Sequence, residues 1–161
     1  MINGFVLVDK EPGFTSHDVV ALARKKFQTK KIGHAGTLDP MATGLLVLGV
    51  GIGTKLINFI VEGKKSYEAT IRLGATTTTD DKEGEVLEKK SVASISESEI
   101  QTNLEKFKGR IKQVPSSVSA IKVDGKRAHE RVRAGEEFQI PAREVEIFKL
   151  VVKNIKRIEE F

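Results

Sequence analysis

A chain of 161 residues, 39% of them hydrophobic and 30% charged, can fold into one domain with a hydrophobic core, and this composition excludes a disordered protein. No apolar stretch approaches the roughly 20 residues of a membrane span. The absence of cysteine excludes disulfides and thiolate metal sites and predicts a reducing, cytoplasmic location. The net charge of +5 fits a polyanionic partner, and it fits an ordinary basic surface equally well.

The first half of the chain shows short apolar runs separated by turn residues and caps. These signals predict, in chain order, a buried strand at Phe5–Val8, a turn at 9–13, a helix from the N-cap Ser16 to Phe27, an ordered loop at 28–44, a buried strand at Leu45–Val50 and helical turns at Thr54–Val61.

The second half mixes alternating segments with one capped helix. It predicts strands at Tyr67–Leu73, Glu85–Lys89, Val118–Val123 and Glu144–Ile155, a polar loop at Thr76–Gly84, a helix opened by Ser96 with Glu99 as its capping box, a tight hairpin at Asp124-Gly125 and a short helix at Arg127–Ala134. Strands and helices do not alternate regularly. We therefore predict an α+β fold in which a mixed, largely antiparallel sheet is flanked by helices.

The glycine-rich segment from Gly33 to Gly44 contains the strongest candidate for chemistry. Its glycines allow close approach of a ligand, and Pro40 stiffens the chain directly after Asp39. A carboxylate held in this way between apolar neighbours is a credible nucleophile. A simple turn hydrogen bond from Asp39 is the alternative, because Asp-Pro often starts a turn.

Other sites are weaker candidates. The three histidines have no metal-ligand spacing, so we expect no metal site. Asp80-Asp81 suits a cation, although a solvated loop is the simpler interpretation. The segment from Gly49 to Lys55 resembles a phosphate loop but has the wrong spacing and lacks the following Ser or Thr, which favours tight strand–helix packing instead.

Five segments, in order, resemble the bacterial tRNA pseudouridine-55 synthases of the TruB family. Along the chain they are the first motif at 9–18, the Gly33–Gly44 block, the tyrosine strand at 65–74, the Thr/Asp loop at 77–84 and the strand and hairpin at 113–126. The resemblance covers essentially the whole chain. It implies the pseudouridine synthase fold and isomerisation of uridine 55 in the T loop of tRNA, without cofactor or metal.

The resemblance also implies roles for single residues. Asp39 corresponds to the catalytic nucleophile, which attacks C1′ or assists C2′ deprotonation, and Tyr67 corresponds to the tyrosine that stacks on the flipped base. His34 is expected to pack near the RNA. Lys10 is expected either to contact a phosphate or to support the catalytic loop. The basic runs at 24–26 and 30–31 are expected to meet tRNA phosphates or to be plain solvated surface.

Departures from the family pattern lead to further expectations. Pro12 stands one place later than in many members, and valine and histidine replace tyrosines at Val118 and His129. The Lys-Gly-Thr-Tyr-Ile-Arg motif, whose arginine pairs with the catalytic aspartate, does not occur in the 161 residues. We expect residues 1–161 to be the N-terminal portion of a catalytic domain, without the C-terminal part of the fold and the RNA-binding domain. Alone they would be inactive or very slow.

Two functions from different classes stay open at this point. The first is a monomeric tRNA-modifying isomerase that needs no protein partner and no membrane. The second is a shortened relative that binds RNA without chemistry. Retention of Asp39 together with Tyr67 favours the enzyme, since a pure binder needs no nucleophile.

Overall fold

The computed structural model describes residues 2–116, 122–123, 126–127, 131 and 138–157. The chain divides into two compact units, Met1–Ala69 and Thr70–Phe161. Helices and antiparallel strand pairs occur in both units, which confirms the predicted α+β class. The strand pairs described form four separate small sheets, and every pair is antiparallel.

The first unit contains a three-stranded sheet and its helices. Its elements are β1 (Gly4–Lys10), α1 (Ser16–Phe27), β2 (Ile32–His34), β3 (Gly44–Val50), a 3-10 helix (Gly51–Leu56) and α2 (Ile57–Val61). The strand order is β1-β3-β2. The predicted strands and helical turns of this half are therefore confirmed, with β1 extending two residues into the expected turn.

The core of this unit lies on one face of the sheet. Alternate residues of β3 point inward, so that Leu46, Leu48 and Val50 are buried together with Val19 and Val20 of α1. Burying one such aliphatic side chain contributes about 1.5–3 kcal/mol. This packing holds β1, α1, β2 and β3 in place. The Gly33–Gly44 segment runs from β2 to β3.

Helix α1 begins one residue earlier than the sequence predicted. Its N-cap is Thr15, whose hydroxyl accepts from the Asp18 backbone N–H at 3.1 Å, while the Asp18 carboxylate accepts from the Thr15 N–H at 2.8 Å. The Thr15 hydroxyl also donates to the Asp18 carboxylate at 2.6 Å, and this bond, followed by the one from the Thr15 N–H, holds the pKa of Asp18 below its ordinary value. The prediction of Ser16 as N-cap was wrong because the capping box uses Thr15 and Asp18.

Close packing explains the glycines that resemble a phosphate loop. A Cβ on Gly49 would lie 2.8 Å from the Gly53 carbonyl oxygen, and a Cβ on Gly53 would lie 2.2 Å from that of Gly4. The 3-10 helix therefore rests directly on the sheet, as the strand–helix packing interpretation predicted.

The second unit contains short elements. They are β4 (Ala75–Thr77), β5 (Val86–Lys89), α3 (Glu97–Glu105), β6 (Gly109–Gln113), β7 (Lys122–Val123), β8 (Lys126–Arg127) and β9 (Arg143–Ile147). The capping box of Ser96 and Glu99 is confirmed, and so is the strand at β5. Strands β7 and β8 pair on either side of Asp124-Gly125, as the hairpin signal predicted. Most of the helix predicted at 127–134 lies outside the described residues.

Two predicted strands were wrong in whole or in part. Residues 64–73, including Tyr67–Leu73, form no strand, and the strand predicted at Glu144–Ile155 ends at Ile147. Alternation indicates that one face can be buried, but a strand also needs a neighbour to accept its hydrogen bonds. In the described residues β9 pairs with β6 only as far as Ile147, and 64–73 pairs with no strand.

Candidate active site

Residues 35–43, the Asp39 loop, join β2 to β3. Strand β2 continues into it through a bond from the Ala35 N–H to the Val47 carbonyl at 2.8 Å. Gly36 and Gly44 have φ angles of 114° and 108°, a region that side chains strongly disfavour. These two glycines therefore allow the chain to leave one strand and enter the next with Asp39 between them.

Ser16 holds the amino-terminal side of the Asp39 loop. Its side chain is 1% exposed, and its Oγ accepts from the Leu38 N–H at 2.9 Å and donates to the Leu38 carbonyl at 3.3 Å. One hydroxyl can do both because it has one hydrogen and two lone pairs. The residue directly before Asp39 is thereby tied to the first turn of α1.

Lys10 holds the carboxyl-terminal side. Its Nζ donates to the carbonyls of Pro40 at 3.2 Å, Glu11 at 3.0 Å and Phe14 at 2.8 Å, and the side chain is 1% exposed. The Gly13 N–H donates to the same Pro40 carbonyl at 2.8 Å. An ammonium has three donors, so none is left for an RNA phosphate. Of the two expectations for Lys10, this geometry fits support of the catalytic loop better than contact with a substrate phosphate.

Asp39 is fixed through its backbone and open at its side chain. Its carbonyl accepts from the Ala42 N–H at 3.0 Å, and the residue is exposed. Within the described part of the chain, its carboxylate has neither a hydrogen bond nor an ion pair, so the alternative of a turn hydrogen bond from the side chain finds no partner there. A carboxylate held this way can meet a substrate that covers it from outside.

His34 lies at the end of β2, where the Asp39 loop begins. Its Nδ1 is 2.6 Å from the Gly36 carbonyl oxygen and must be the donor, because a carbonyl only accepts. The ring also meets the edge of His17, with centroids 5.0 Å apart and planes at 78°. The half-buried ring is thus oriented by two contacts, and in the neutral form its Nε2 is an acceptor.

Tyr67 is a highly exposed residue. Its side chain is 76% exposed in a segment without regular structure. None of the hydrogen bonds or ring contacts among the described residues joins it to the Asp39 loop. The structure therefore brings Asp39, His34 and Lys10 together around one loop, and it shows no such link for Tyr67.

The Asp80-Asp81 loop is organised by its own hydrogen bonds. The Asp81 carboxylate accepts from the Thr79 hydroxyl at 2.5 Å and from the Glu83 N–H at 2.9 Å. The Thr79 bond is the largest cause that lowers the pKa of Asp81. No cluster of three or more His, Asp or Glu side chains that could hold a metal occurs in the parts of the chain described. Nor does any described helix have the length and apolar character to cross a membrane.

Asp39 is exposed and lines neither of two clefts found among the described residues. Two shallow clefts of about 330 and 310 Å³ are lined by other residues, the smaller by Ile2, Phe27, Gln28, Thr29, Lys31 and Gly51. An exposed loop suits a polymer that lies across it better than a small molecule that must be enclosed.

Sequence reasoning missed the contribution of Ser16 to this site. A signal was present, because Thr15 and Asp18 have capping-box spacing and leave the neighbouring serine without a capping task. Its partner Leu38 is 22 residues away, and the Pro40 partner of Lys10 is 30 residues away. Contacts at this separation depend on the packed sheet and helix.

Comparisons with known proteins show what this chain is similar to. Residues 24–160 match the model of the TruB family pseudouridylate synthase N-terminal domain. The tRNA pseudouridine synthase B of Corynebacterium diphtheriae is 56% identical over 99% of this chain and 54% of the relative, and that of Paenarthrobacter aurescens is 54% identical over 99% and 51%. The chain thus spans about half the length of the curated relatives it matches.

One solved structure supports the fold. A chain of the Cbf5-Nop10-Gar1 complex superposes with a TM-score of 0.59 at 24% identity, over 95% of this chain and 36% of that one. This likeness confirms the predicted fold.

Proposed function

We propose that this chain, which belongs to the TruB family of pseudouridylate synthases, forms the nucleophile-bearing part of an enzyme that converts uridine 55 in the T loop of tRNA to pseudouridine. Residues 1–161 are, in this proposal, the N-terminal portion of the catalytic domain. The rest of the fold, an arginine that pairs with Asp39 and an RNA-binding domain are proposed to lie outside these residues.

The observation that carries the proposal is the two-sided anchoring of the Asp39 loop. Buried Ser16 and Lys10 fix the residues on either side of Asp39, while its carboxylate stays exposed. Holding a reacting group in place before the substrate arrives lowers the entropic part of the barrier. A binding loop without chemistry has no need of such a placement for one carboxylate.

In the proposed reaction the C1′–N1 bond of the uridine breaks, the base turns, and a C1′–C5 bond forms while the C5 proton is lost and N1 gains one. Atoms and charge balance without a cofactor. Asp39 either adds to C1′ and leaves again as the C1′–C5 bond forms, or takes part in removal of the C2′ proton, which returns to C2′ as that bond forms. Both roles require a carboxylate beside the ribose of the extruded nucleotide.

Two of the other site residues are proposed to support the extruded nucleotide, and the third supports the loop. Tyr67 is proposed to stack on the flipped base, because one aromatic stack returns about 1–3 kcal/mol of a flipping cost of a few kcal/mol. His34, oriented by Gly36 and His17, is proposed to pack against the RNA beside the loop. Lys10 supports the loop and does not contact substrate. We further propose that the enzyme acts as a monomer in the cytoplasm.

The test uses the natural full-length protein that carries this sequence. It is incubated with a T-stem-loop transcript, and pseudouridine at position 55 is read by chemical modification and primer extension. A matched transcript with cytidine at position 55 is the control. We expect product in the first transcript alone. Binding of the first transcript without any pseudouridine would instead support the non-catalytic RNA-binding relative.

A further inference from the structure

Ser16 is a buried polar residue whose contacts serve neither its own helix nor the capping box. The residue is 1% exposed at the first position of α1, and both hydrogen bonds of its hydroxyl go to the backbone of Leu38. The capping of α1 is carried by the neighbouring Thr15. A hydroxyl buried without a hydrogen-bond partner would lower the stability of the fold. The two bonds to Leu38 satisfy the Ser16 hydroxyl in its buried position.

We infer that Ser16 is a positioning residue for catalysis, acting through Leu38 on the placement of Asp39. This inference rests on the proposed function in assigning catalysis to Asp39. The peptide group between Leu38 and Asp39 shares its plane with the Leu38 carbonyl, which accepts from Ser16. Any rotation of that plane changes the direction in which the Asp39 side chain leaves the backbone.

The two anchors of the loop are not equivalent. The Pro40 carbonyl has two donors, Lys10 Nζ and the Gly13 N–H, so it keeps one if the other is lost. Leu38 has Ser16 as the described partner for both its N–H and its carbonyl. Loss of the Ser16 hydroxyl therefore leaves the Leu38 backbone without its described hydrogen-bond partner, while the Leu38 side chain still packs against the core.

The decisive comparison is between Ser16→Ala and Thr15→Ala in the natural full-length protein. Both remove one hydroxyl from the start of α1, and both lower stability. Thr15→Ala removes the helix cap and leaves the Leu38 contacts in place, so it controls for simple destabilisation. Should Ser16→Ala fail to fold, Ser16→Cys provides the same comparison, since a thiol is of similar size and bonds weakly.

Two readouts separate positioning from general stability. Hydrogen exchange by NMR at the Leu38 amide should quicken at least about tenfold more in Ser16→Ala than in Thr15→Ala. The kcat for pseudouridine formation should fall on the order of tenfold to a hundredfold in Ser16→Ala with KM little changed, because displacing a reacting group by about 1 Å has effects of this size. Thr15→Ala should keep kcat within about twofold.

Each outcome decides the inference. Equal exchange at Leu38 in the two variants overturns the anchoring, and faster exchange with an unchanged kcat overturns the catalytic role. If the wild-type protein makes no pseudouridine, the proposed function fails and the positioning role falls with it. The exchange comparison then still shows whether Ser16 anchors the loop, so the two failures are distinguishable.

Discussion

Replacing Lys10 by methionine tests whether the buried ammonium holds the turn beneath the Asp39 loop. Methionine keeps most of the side-chain volume and removes all three donors. The carbonyls of Glu11 and Phe14 lose their described donor, and each lost hydrogen bond lowers the free energy of unfolding by about 1–3 kcal/mol. The Pro40 carbonyl keeps its bond from the Gly13 N–H. Relief from burying a charge offsets part of this cost. We expect the free energy of unfolding of the first unit to fall by about 2–4 kcal/mol.

The assay is urea unfolding followed through NMR amide signals of β1 and α1, which report the unit that contains Lys10. The matched control is Lys26→Met, a substitution of an exposed lysine on α1, which should change the free energy by no more than about 0.5 kcal/mol. Equal unfolding midpoints for the two variants would refute the reasoning, because burial and three hydrogen bonds would then have no energetic consequence.

Two further predictions concern a helix cap and the base-stacking tyrosine. Hydrogen bonds from Ser96, its backbone N–H first, lower the pKa of Glu99, so the cap contributes fully above the ordinary value of 4.5 and is lost as pH falls through the folded value. Stability of α3 measured from pH 7 to pH 3 should therefore fall more steeply in wild type than in Glu99→Gln; parallel curves would contradict this. Tyr67→Ala should lower kcat/KM of the natural protein about 5- to 150-fold through the lost stack. Ile71→Ala, at a similarly exposed position, should leave kcat/KM unchanged. Equal losses of kcat/KM in the two variants would count against base stacking by Tyr67.

Elements with strong local signals were predictable from the sequence. Phe5–Val8 and Leu45–Val50 are short apolar runs, and Ser96 with Glu99 defines a helix start within four residues. The strand expected at Tyr67–Leu73 failed because strand formation depends on a partner elsewhere in the chain, and alternation alone does not supply one.

The chemistry of the candidate site stays a prediction, and the contacts that support its loop could not be predicted from the sequence. Family resemblance and loop composition both indicated Asp39. The buried contacts that hold its loop come from Lys10 and Ser16, which are distant in sequence and meet the loop only when β1, α1 and β3 pack. From the sequence alone, Lys10 in its predicted turn is a plausible phosphate ligand. Its burial in the folded structure indicates a supporting role instead.

We propose that Asp39 is the nucleophile of a tRNA pseudouridine synthase. The most direct test is release of tritium from C5-labelled uridine in tRNA by the natural full-length protein and by Asp39→Asn, which keeps the shape and removes the charge. Glu62→Gln, a change of an exposed carboxylate outside the loop, is the control. We predict release by wild type and Glu62→Gln, and none above the enzyme-free background by Asp39→Asn. Release by Asp39→Asn at the wild-type rate would contradict the account.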